Sequence, residues 1–364
     1  MVEFVGFSNL SRAMICPGNL SMTNLPPKVT HDSAKEGTAC GELLTAMLNQ
    51  RTVTPKVNNI AGNGVLFDSD MYYYSAEVAN HVFNNSQGKI FSETPVSLVT
   101  ESGITVRGAY DISYVKDGVL HVEDLKYGYS IVDPQENWQL IGYAIGEVMR
   151  LGKGFEKIVL TIHQPRPYHE DGPCRSWTIS YGELMEYKEI IEKQMMSIRQ
   201  GDTSLKTGKH CKYCRAASSC AALNRATYNS VDVAMNQLVQ DHLSDDQLSR
   251  ELDTLDRAVD LIKLRKDSLE QLTVNRIKGG GVVKNYVINE RWSNRKWKGA
   301  VTADVIETLT GKKVTEQVLL SPAKVEKLGI SKDFINGMTE KRRIGINVKR
   351  KDITKIANEI FGGK

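Results

Sequence analysis

The 364-residue chain predicts an α/β protein, with a mixed central sheet flanked by helices, a helical linker and a small C-terminal α+β module. Three observations carry this. Residues 90–126 have β-rich or alternating composition, while the stretches around them repeat with a helical period. The pattern after 134 reads helix, strand, strand, helix. Beyond 243 comes one long helical period, broken by Gly279-Gly280-Gly281.

Taken in order, a helix is expected over 8–15, then a proline-rich loop, a helix over 33–48 and another over 70–85. Strands are expected at 90–99, 104–115 and 119–126, with Lys116-Asp117-Gly118 as a hairpin turn between the last two. A helix is expected after Pro134 through about Arg150, followed by strands at 157–163 and 176–180 and a helix over 181–199. A cysteine-bearing segment, 209–220, closes a first domain over 1–222. Residues 223–281 form a long helix and linker, and 282–364 a small basic module. In the long helix Leu248, Leu252, Leu255, Val259 and Ile262 form a seam, interrupted by Lys266. The seam is expected to pack on its own domain rather than on another chain. The glycine triplet reads as a hinge, because no Lys-Ser/Thr follows it.

About 41% apolar and 25% charged residues are ordinary for a globular chain. No apolar run approaches the roughly 20 residues that span a bilayer, so no membrane association is expected. The N-terminus lacks the pattern of a secretory signal, and a cytoplasmic protein is expected. The net charge of +4 is unevenly spread: residues 1–200 carry 17 Lys/Arg against 23 Asp/Glu, and residues 201–364 carry 30 against 20. The basic half is either a polyanion-binding surface or a solvated one.

The chemistry centres on Val122-Glu123-Asp124-Leu125-Lys126 at a strand end, with Asp111 in the strand before. Residues two apart on a strand share a face, so Asp124 and Lys126 point together, and the hairpin brings Asp111 within reach. Two carboxylates and an ammonium are costly to bury without a purpose. A hard divalent cation such as Mg²⁺ fits them and also binds phosphate oxygens. Phosphodiester hydrolysis needs such an ion to activate water and neutralise developing charge, and the lysine can orient that water.

Further motifs lie around this set. Gly108-Ala109-Tyr110-Asp111 is a Gly-x-x-Asp strand. Asp124-Leu125-Lys126-Tyr127-Gly128 is Asp-x-Lys followed by glycine. Gln139 and Tyr143 stand four apart on one helix face, and Phe91-Ser92-Glu93-Thr94-Pro95 puts a glutamate on the first strand. In this order and spacing the chain resembles the RecB-like branch of the PD-(D/E)XK nucleases, most strongly over 1–222, and a phage-associated family within it. The tail similarity is confined to a general likeness around 319–327. The resemblance implies that Asp111 and Asp124 hold Mg²⁺ or Mn²⁺ with the carbonyl of Leu125, and that Lys126 positions the nucleophilic water. Glu93 and Glu36 would assist, while Gln139 and Tyr143 would orient the site and the DNA. One departure stands out: the family's first helix reads Glu-Gly-Thr-x-x-His, and here Gly41 occupies the histidine position.

Cys211, Cys214 and Cys220 have the spacing Cys-x2-Cys-x5-Cys, which suits zinc or an iron–sulfur cluster. His210 or Cys16 would supply the missing ligand. The resemblance implies Cys16 and a 4Fe–4S cluster, as in AddB-type nucleases, stapling the two ends of the nuclease domain; Zn²⁺ is the alternative. Cys40 and Cys174 read as buried small hydrophobes. Arg107 and Arg166 are candidate DNA contacts, or plain surface arginines. Arg291, Arg295 and Lys296, interleaved with Trp292 and Trp297, suit backbone neutralisation with base stacking, or simply core anchoring. Lys341-Arg342-Arg343 and Lys349-Arg350-Lys351 add basic clusters.

The expectation is therefore a Mg²⁺/Mn²⁺-dependent deoxyribonuclease, an exonuclease acting on DNA ends in phage recombination or replication within the bacterial cytoplasm. A phage single-strand annealing recombinase or single-strand-binding protein is the expected partner. The alternatives are a structure-specific endonuclease, or a DNA-binding scaffold that retains the fold with little catalysis.

Overall fold

The computed structural model describes residues 2–23, 25–27, 32–152, 154–236, 243–292, 296–297, 302–314, 320–340 and 343–350. It divides into two units, Met1–Leu272 and Thr273–Lys364. In the first, β1 (Phe4–Gly6) runs straight into α1 (Phe7–Ile15). Then come α2 (Asp32–Gln50), α3 (Ser69–Asn85), β2 (Gln87–Val99), β3 (Thr105–Lys116), β4 (Val119–Leu125), α4 (Trp138–Leu151), β5 (Lys157–His163), β6 (Cys174–Ser180), α5 (Tyr181–Arg199), α6 (Ala221–Asn236) and α7 (Asp245–Lys278). The helices and strands expected between residues 8 and 199 are all present. β1 and α6 were not expected.

Six strands form one mixed sheet, in the order β1-β3-β4-β5-β6, with β2 also on β3. β2 lines one edge of β3 antiparallel. The other edge is shared, first by β1 in parallel (Val5↔Val106) and then by β4 in antiparallel (Ile112↔Glu123). β5 runs parallel to β4, and β6 antiparallel to β5. Helices cover both faces. α1, α4 and α5 bury Phe7, Leu10, Leu140, Ile141, Leu184 and Ile191 against Leu120, Val122, Leu160 and Ile162. On the other face α2 and α3 bury Leu43, Leu44, Met47, Val78 and Val82 with Ile112 and Tyr114.

Local signals set the helix ends. Asp68 accepts from Met71 N–H at the start of α3, and Asn137 accepts from the N–H groups of Gln139 and Leu140 at the start of α4. Gly152 ends α4 at φ 65°, and a Ser180/Glu183 capping box opens α5. α4 lies close to α1 because its contact residue is Gly142. A Cβ there would stand 2.3 Å from Phe7 Cδ1. Gly142→Ala is accordingly expected to destabilise the unit by about 1–3 kcal/mol, despite alanine's better helix propensity. A chemical denaturation curve checks this, and a gain in stability would show the helix contact to be looser than described.

α7 corrects the expectation for its apolar seam. It packs on its own unit through Leu261 and Leu264, which contact the cysteine segment, and through Arg265, which donates to the carbonyls of Ala217 and Ser218 at 3.1 and 2.7 Å. The seam residues Leu248, Leu252, Leu255, Val259 and Ile262 are instead 40–61% exposed. The packing face is rotated away from the 4-3 seam, and the sequence period alone does not say which face is used.

The second unit contains β7 (Tyr286–Trp292), β8 (Lys296–Trp297), α8 (Ala303–Thr310), α9 (Pro322–Lys327), α10 (Lys332–Met338), β9 (Thr339–Glu340) and β10 (Arg343–Arg350). β7 pairs antiparallel with β10, and β8 with β9. Ile306, Val314, Val325, Ile330 and Ile335 form its core. The backbone places Arg291 and Arg350 on the paired strands and Lys296 in β8. Arg295, Lys341, Arg342 and Lys351 lie outside the described residues. No helix among the described residues is long and apolar enough to cross a membrane.

Candidate active site

The site forms where β3 and β4 part. Their ladder ends at Ile112↔Glu123. One residue on, the Asp111 side chain takes over from the ladder and accepts from Leu125 N–H at 2.6 Å. β4 continues against β5 alone, where Lys126 N–H donates to His163 O at 2.8 Å. Asp124 and Lys126 share a face as expected: Asp124 Oδ2 lies 2.5 Å from Lys126 Nζ. Asp124 is 2% exposed, and no well-aligned hydrogen bond reaches that oxygen.

α4 supplies the other wall. Lys126 Nζ donates to Gln139 Oε1 at 3.0 Å, and Gln139 Nε2 donates to Tyr143 Oη at 2.9 Å and reaches Asp124 Oδ1 at 3.5 Å. Tyr143 is buried edge-on against Phe7, ring centroids 5.4 Å apart. The glycine of the Gly-x-x-Asp strand makes room for it, since a Cβ on Gly108 would come within 3.1 Å of Tyr143 Cε1.

A backbone feature at the site has no counterpart in the sequence pattern. Tyr110 and Ile112 are two apart on β3, yet Tyr110 lies in the core under α4 and Ile112 in the core under α2 and α3. The alternation therefore breaks at Asp111. On the neighbouring strand Ser92 pairs with Ile112 and Thr94 with Tyr110, and Glu93 between them has φ 44°. A left-handed glutamate inside a strand is strained, and such strain is held where it re-aims a side chain. Here it turns Glu93 toward Asp111 and Asp124.

The electrostatics follow from this crowding. Burial, and next the Asp124 charge, push the Asp111 carboxyl well above its usual range; Lys126 and the Leu125 N–H only partly offset them. Burial and Asp124 also raise Glu93. Burial pulls Lys126 down, but Asp124 and Asp111 more than restore it, so the ammonium stays charged. Three carboxylates against one ammonium leave an excess of negative charge. A divalent cation at Asp111 and Asp124 would relieve it, and the buried carboxylate oxygens are the hard donors such an ion takes.

Glu36 is not in this hydrogen-bonded set; its carboxylate pairs with Arg166 at 3.0 Å. Arg166 also stacks over Tyr127, 3.9 Å from the ring centroid, so its guanidinium is largely taken up by the protein. Arg107 is exposed on β3, with its guanidinium over the Phe4 ring. Gly41 faces the site: a Cβ there would meet only Glu93 Oε1, at 3.9 Å. Gly41→His is therefore expected to fit, to place an imidazole beside Glu93 and to tighten Mn²⁺ binding. Calorimetric titration with Mn²⁺ checks this, with Gly41→Ala as the control for helix stability.

One residue was not expected. Gln164, fully buried, pins the loop after Lys126: its Nε2 donates to Gly128 O and Ser130 O at 2.9 and 2.8 Å, and its Oε1 accepts from Val132 N–H at 3.0 Å. Its Oε1 also accepts from Arg175 Nη2 at 2.8 Å; the loop partners lie more than 30 positions away, so no local motif marks it.

The four cysteines gather at one end of the unit. Arg12, one turn before Cys16, donates to His210 O and Tyr213 O at 3.4 and 3.0 Å, and Lys206 N–H reaches Cys16 Sγ at 3.5 Å. Cys211 and Cys220 are buried in a small cluster with Cys214 at its side. Burial raises the Cys214 thiol, and Cys211 and Cys16 are near enough to add to the shift. Cys40 is buried against Ser75, as expected of a small core residue.

No curated protein matches this sequence. Among solved structures, the crystal structure of SSO0001 is similar at 14% identity and a TM-score of 0.31, over 61% of this chain and 88% of that one. A profile of the family described as "Protein of unknown function (DUF2800)" matches residues 4–344. The match spans the sheet, the carboxylate site, the cysteine segment and most of the second unit, and the chain belongs to the DUF2800 family.

Proposed function

We propose that this protein is a Mg²⁺- or Mn²⁺-dependent deoxyribonuclease with a PD-(D/E)XK-type core. The observation that carries the reading is the meeting of Asp111, Asp124 and Glu93 with Lys126 at the point where β3 and β4 diverge. Asp111 and Asp124, with the Leu125 carbonyl, would hold the ion, which lowers the pKa of bound water and neutralises charge on the phosphate. Lys126 orients the attacking water, and Gln139 with Tyr143 holds Lys126 in place. Glu93 adds negative charge to the ion's surroundings. Glu36 acts at one remove, through Arg166. Arg107, exposed on β3, offers a phosphate contact, and the basic composition of residues 282–364 suits nucleic-acid binding by the second unit.

A 4Fe–4S cluster at Cys16, Cys211, Cys214 and Cys220 belongs to the same reading. A tetrahedral zinc, with Zn–S near 2.3 Å, draws its sulfurs to roughly 3.8 Å of one another. A zinc ion on the same four sulfurs is the alternative, and iron and sulfide analysis separates the two.

The reading of an exonuclease on DNA ends, working with a phage annealing or single-strand-binding protein in the bacterial cytoplasm, is tested with linear and closed circular DNA and Mn²⁺. Degradation of linear DNA alone supports it. Nicking of the circle moves the assignment to an endonuclease. DNA binding with no cleavage of either substrate overturns the enzyme reading in favour of a scaffold.

A further inference from the structure

The face of the sheet opposite Asp124 holds a second cluster of titratable side chains. Glu123, next to Asp124 on β4, points the other way and is 1% exposed beneath α3. Its Oε1 accepts from Tyr114 Oη at 2.7 Å, and its Oε2 lies 2.7 Å from His163 Nε2. His163 on β5 pairs across the ladder with Cys174 on β6. From α3, His81 brings its ring to 5.0 Å from that of His163, with its Nε2 4.0 Å from Glu123 Oε1. One ligand atom from each of His81, His163 and Cys174 lies within 4.8 Å of the other two; among the described residues no other three His, Cys, Asp or Glu side chains come so close.

The valences fit a metal. Nε2 of His163 is committed to Glu123, which leaves Nδ1 as the ring's second nitrogen. A carboxylate on the far nitrogen is how a ligating histidine is held in one tautomer and made more basic. The other side-chain partner of the ring is Cys174, so an ion bound there would displace the proton that His163 and Cys174 share. His81 offers a ring nitrogen to the same point from α3. A Cys174 thiolate and the Glu123 carboxylate together balance one divalent cation, which suits a buried place. One sulfur and two imidazoles select zinc over magnesium or calcium.

We propose that His81, His163 and Cys174 bind a zinc ion, with Glu123 orienting His163, and that the ion pins α3 to β5 and β6. The His81 side chain is 37% exposed, so solvent reaches the cluster from the α3 side. The role is structural: the backbone carbonyl of His163 is the one that holds Lys126 N–H. The site stands whether or not the carboxylate centre cleaves DNA.

The test uses the full-length protein. Metal analysis is expected to find one zinc per chain, and X-ray absorption one sulfur near ~2.3 Å with nitrogen or oxygen neighbours near ~2.0 Å. Co²⁺ in its place should give a thiolate charge-transfer band, lost in Cys174→Ser. Glu123→Gln should weaken zinc affinity by about 10–100-fold. His81→Gln, on a partly exposed helix face where folding is not at stake, should weaken it at least as much, and Asp124→Asn should leave it unchanged. Absence of bound zinc, an all-sulfur shell, or zinc affinity unmoved in both His81→Gln and Cys174→Ser overturns the proposal.

Discussion

Asp124→Asn is expected to lower Mn²⁺-dependent DNA cleavage by about 10²–10³-fold, the several kcal/mol that a metal ion contributes to a phosphoryl transition state. The side chain keeps its volume and its Gln139 contact but loses the charge that Lys126 and the ion share. The fold should survive, because the variant also removes repulsion. Asp111 and Glu93 are both raised, by burial first and by Asp124 next. A carboxyl whose folded pKa is raised binds its proton more tightly in the native state, so its contribution to stability is present below the ordinary carboxylate range and lost as pH rises through the raised value. The metal-free protein should therefore be strained at neutral pH by its own site. Mg²⁺ or Mn²⁺ should raise its melting temperature at pH 7–8, and much less near pH 4, where protons already occupy Asp111 and Glu93. In Asp124→Asn both the strain and the metal response should shrink. Melting curves across pH with and without Mn²⁺ measure this beside the cleavage assay. Wild-type cleavage by Asp124→Asn would place the reacting centre elsewhere.

Much of this site was legible because its determinants are local. Asp124 and Lys126 share a face through the strand period, Gln139 and Tyr143 through the helix period, and the hairpin turn fixes which strand carries Asp111. The expected elements at 157–163 and 181–199 coincide with β5 and α5. What was not legible depends on distant partners or on breaks in period. β1 is three residues long, too short to show alternation, and acquires its identity from β3. The switch of faces at Asp111 is written in the backbone of Glu93, a residue type that gives no warning of a left-handed conformation. Glu36 has an ordinary position for an assisting carboxylate, and only the fold reveals that Arg166, 130 positions away, claims it. Cys174 read alone is a small hydrophobe; its neighbours His81 and His163 arrive from another helix and another strand, at spacings that match no motif. The seam of α7 shows the converse case: a clear period was present, and the fold used another face.

Cys16→Ser and Cys214→Ser are each expected to bleach anaerobically purified, brown protein and to destabilise the first unit strongly. Cys16 is the more telling of the two. It lies about 200 residues from its partners, and closing a loop of that length by a cross-link is worth about 5 kcal/mol in the chain-entropy account. Among the described residues, the contacts that join the N-terminal segment to the region of the cysteines without the cluster include those of Arg12 with His210 O and Tyr213 O, of Gly18 N–H with Ser204 O and of Arg215 with Pro26 O, and the packing of Met22. Contacts of this kind contribute about 1 kcal/mol each and cannot replace ligation energy. Loss of the cluster should then reach the carboxylate site indirectly. α1 carries Phe7, and Phe7 packs against Tyr143 and Gly142 of the helix that holds Lys126. Cleavage should fall with the fraction of folded protein, while the Mn²⁺ affinity of the remaining folded molecules stays near wild type. Cys40→Ser and Cys174→Ser should stay brown, which separates the cluster from the zinc site across the sheet. Visible spectra, iron and sulfide analysis and limited proteolysis of the N-terminal segment follow the three effects. A colourless wild-type protein carrying zinc on four sulfurs would remove the cluster, and Cys16→Ser protein that stays brown would remove Cys16 from it, leaving the staple between the two ends of the unit without a ligand at its far end.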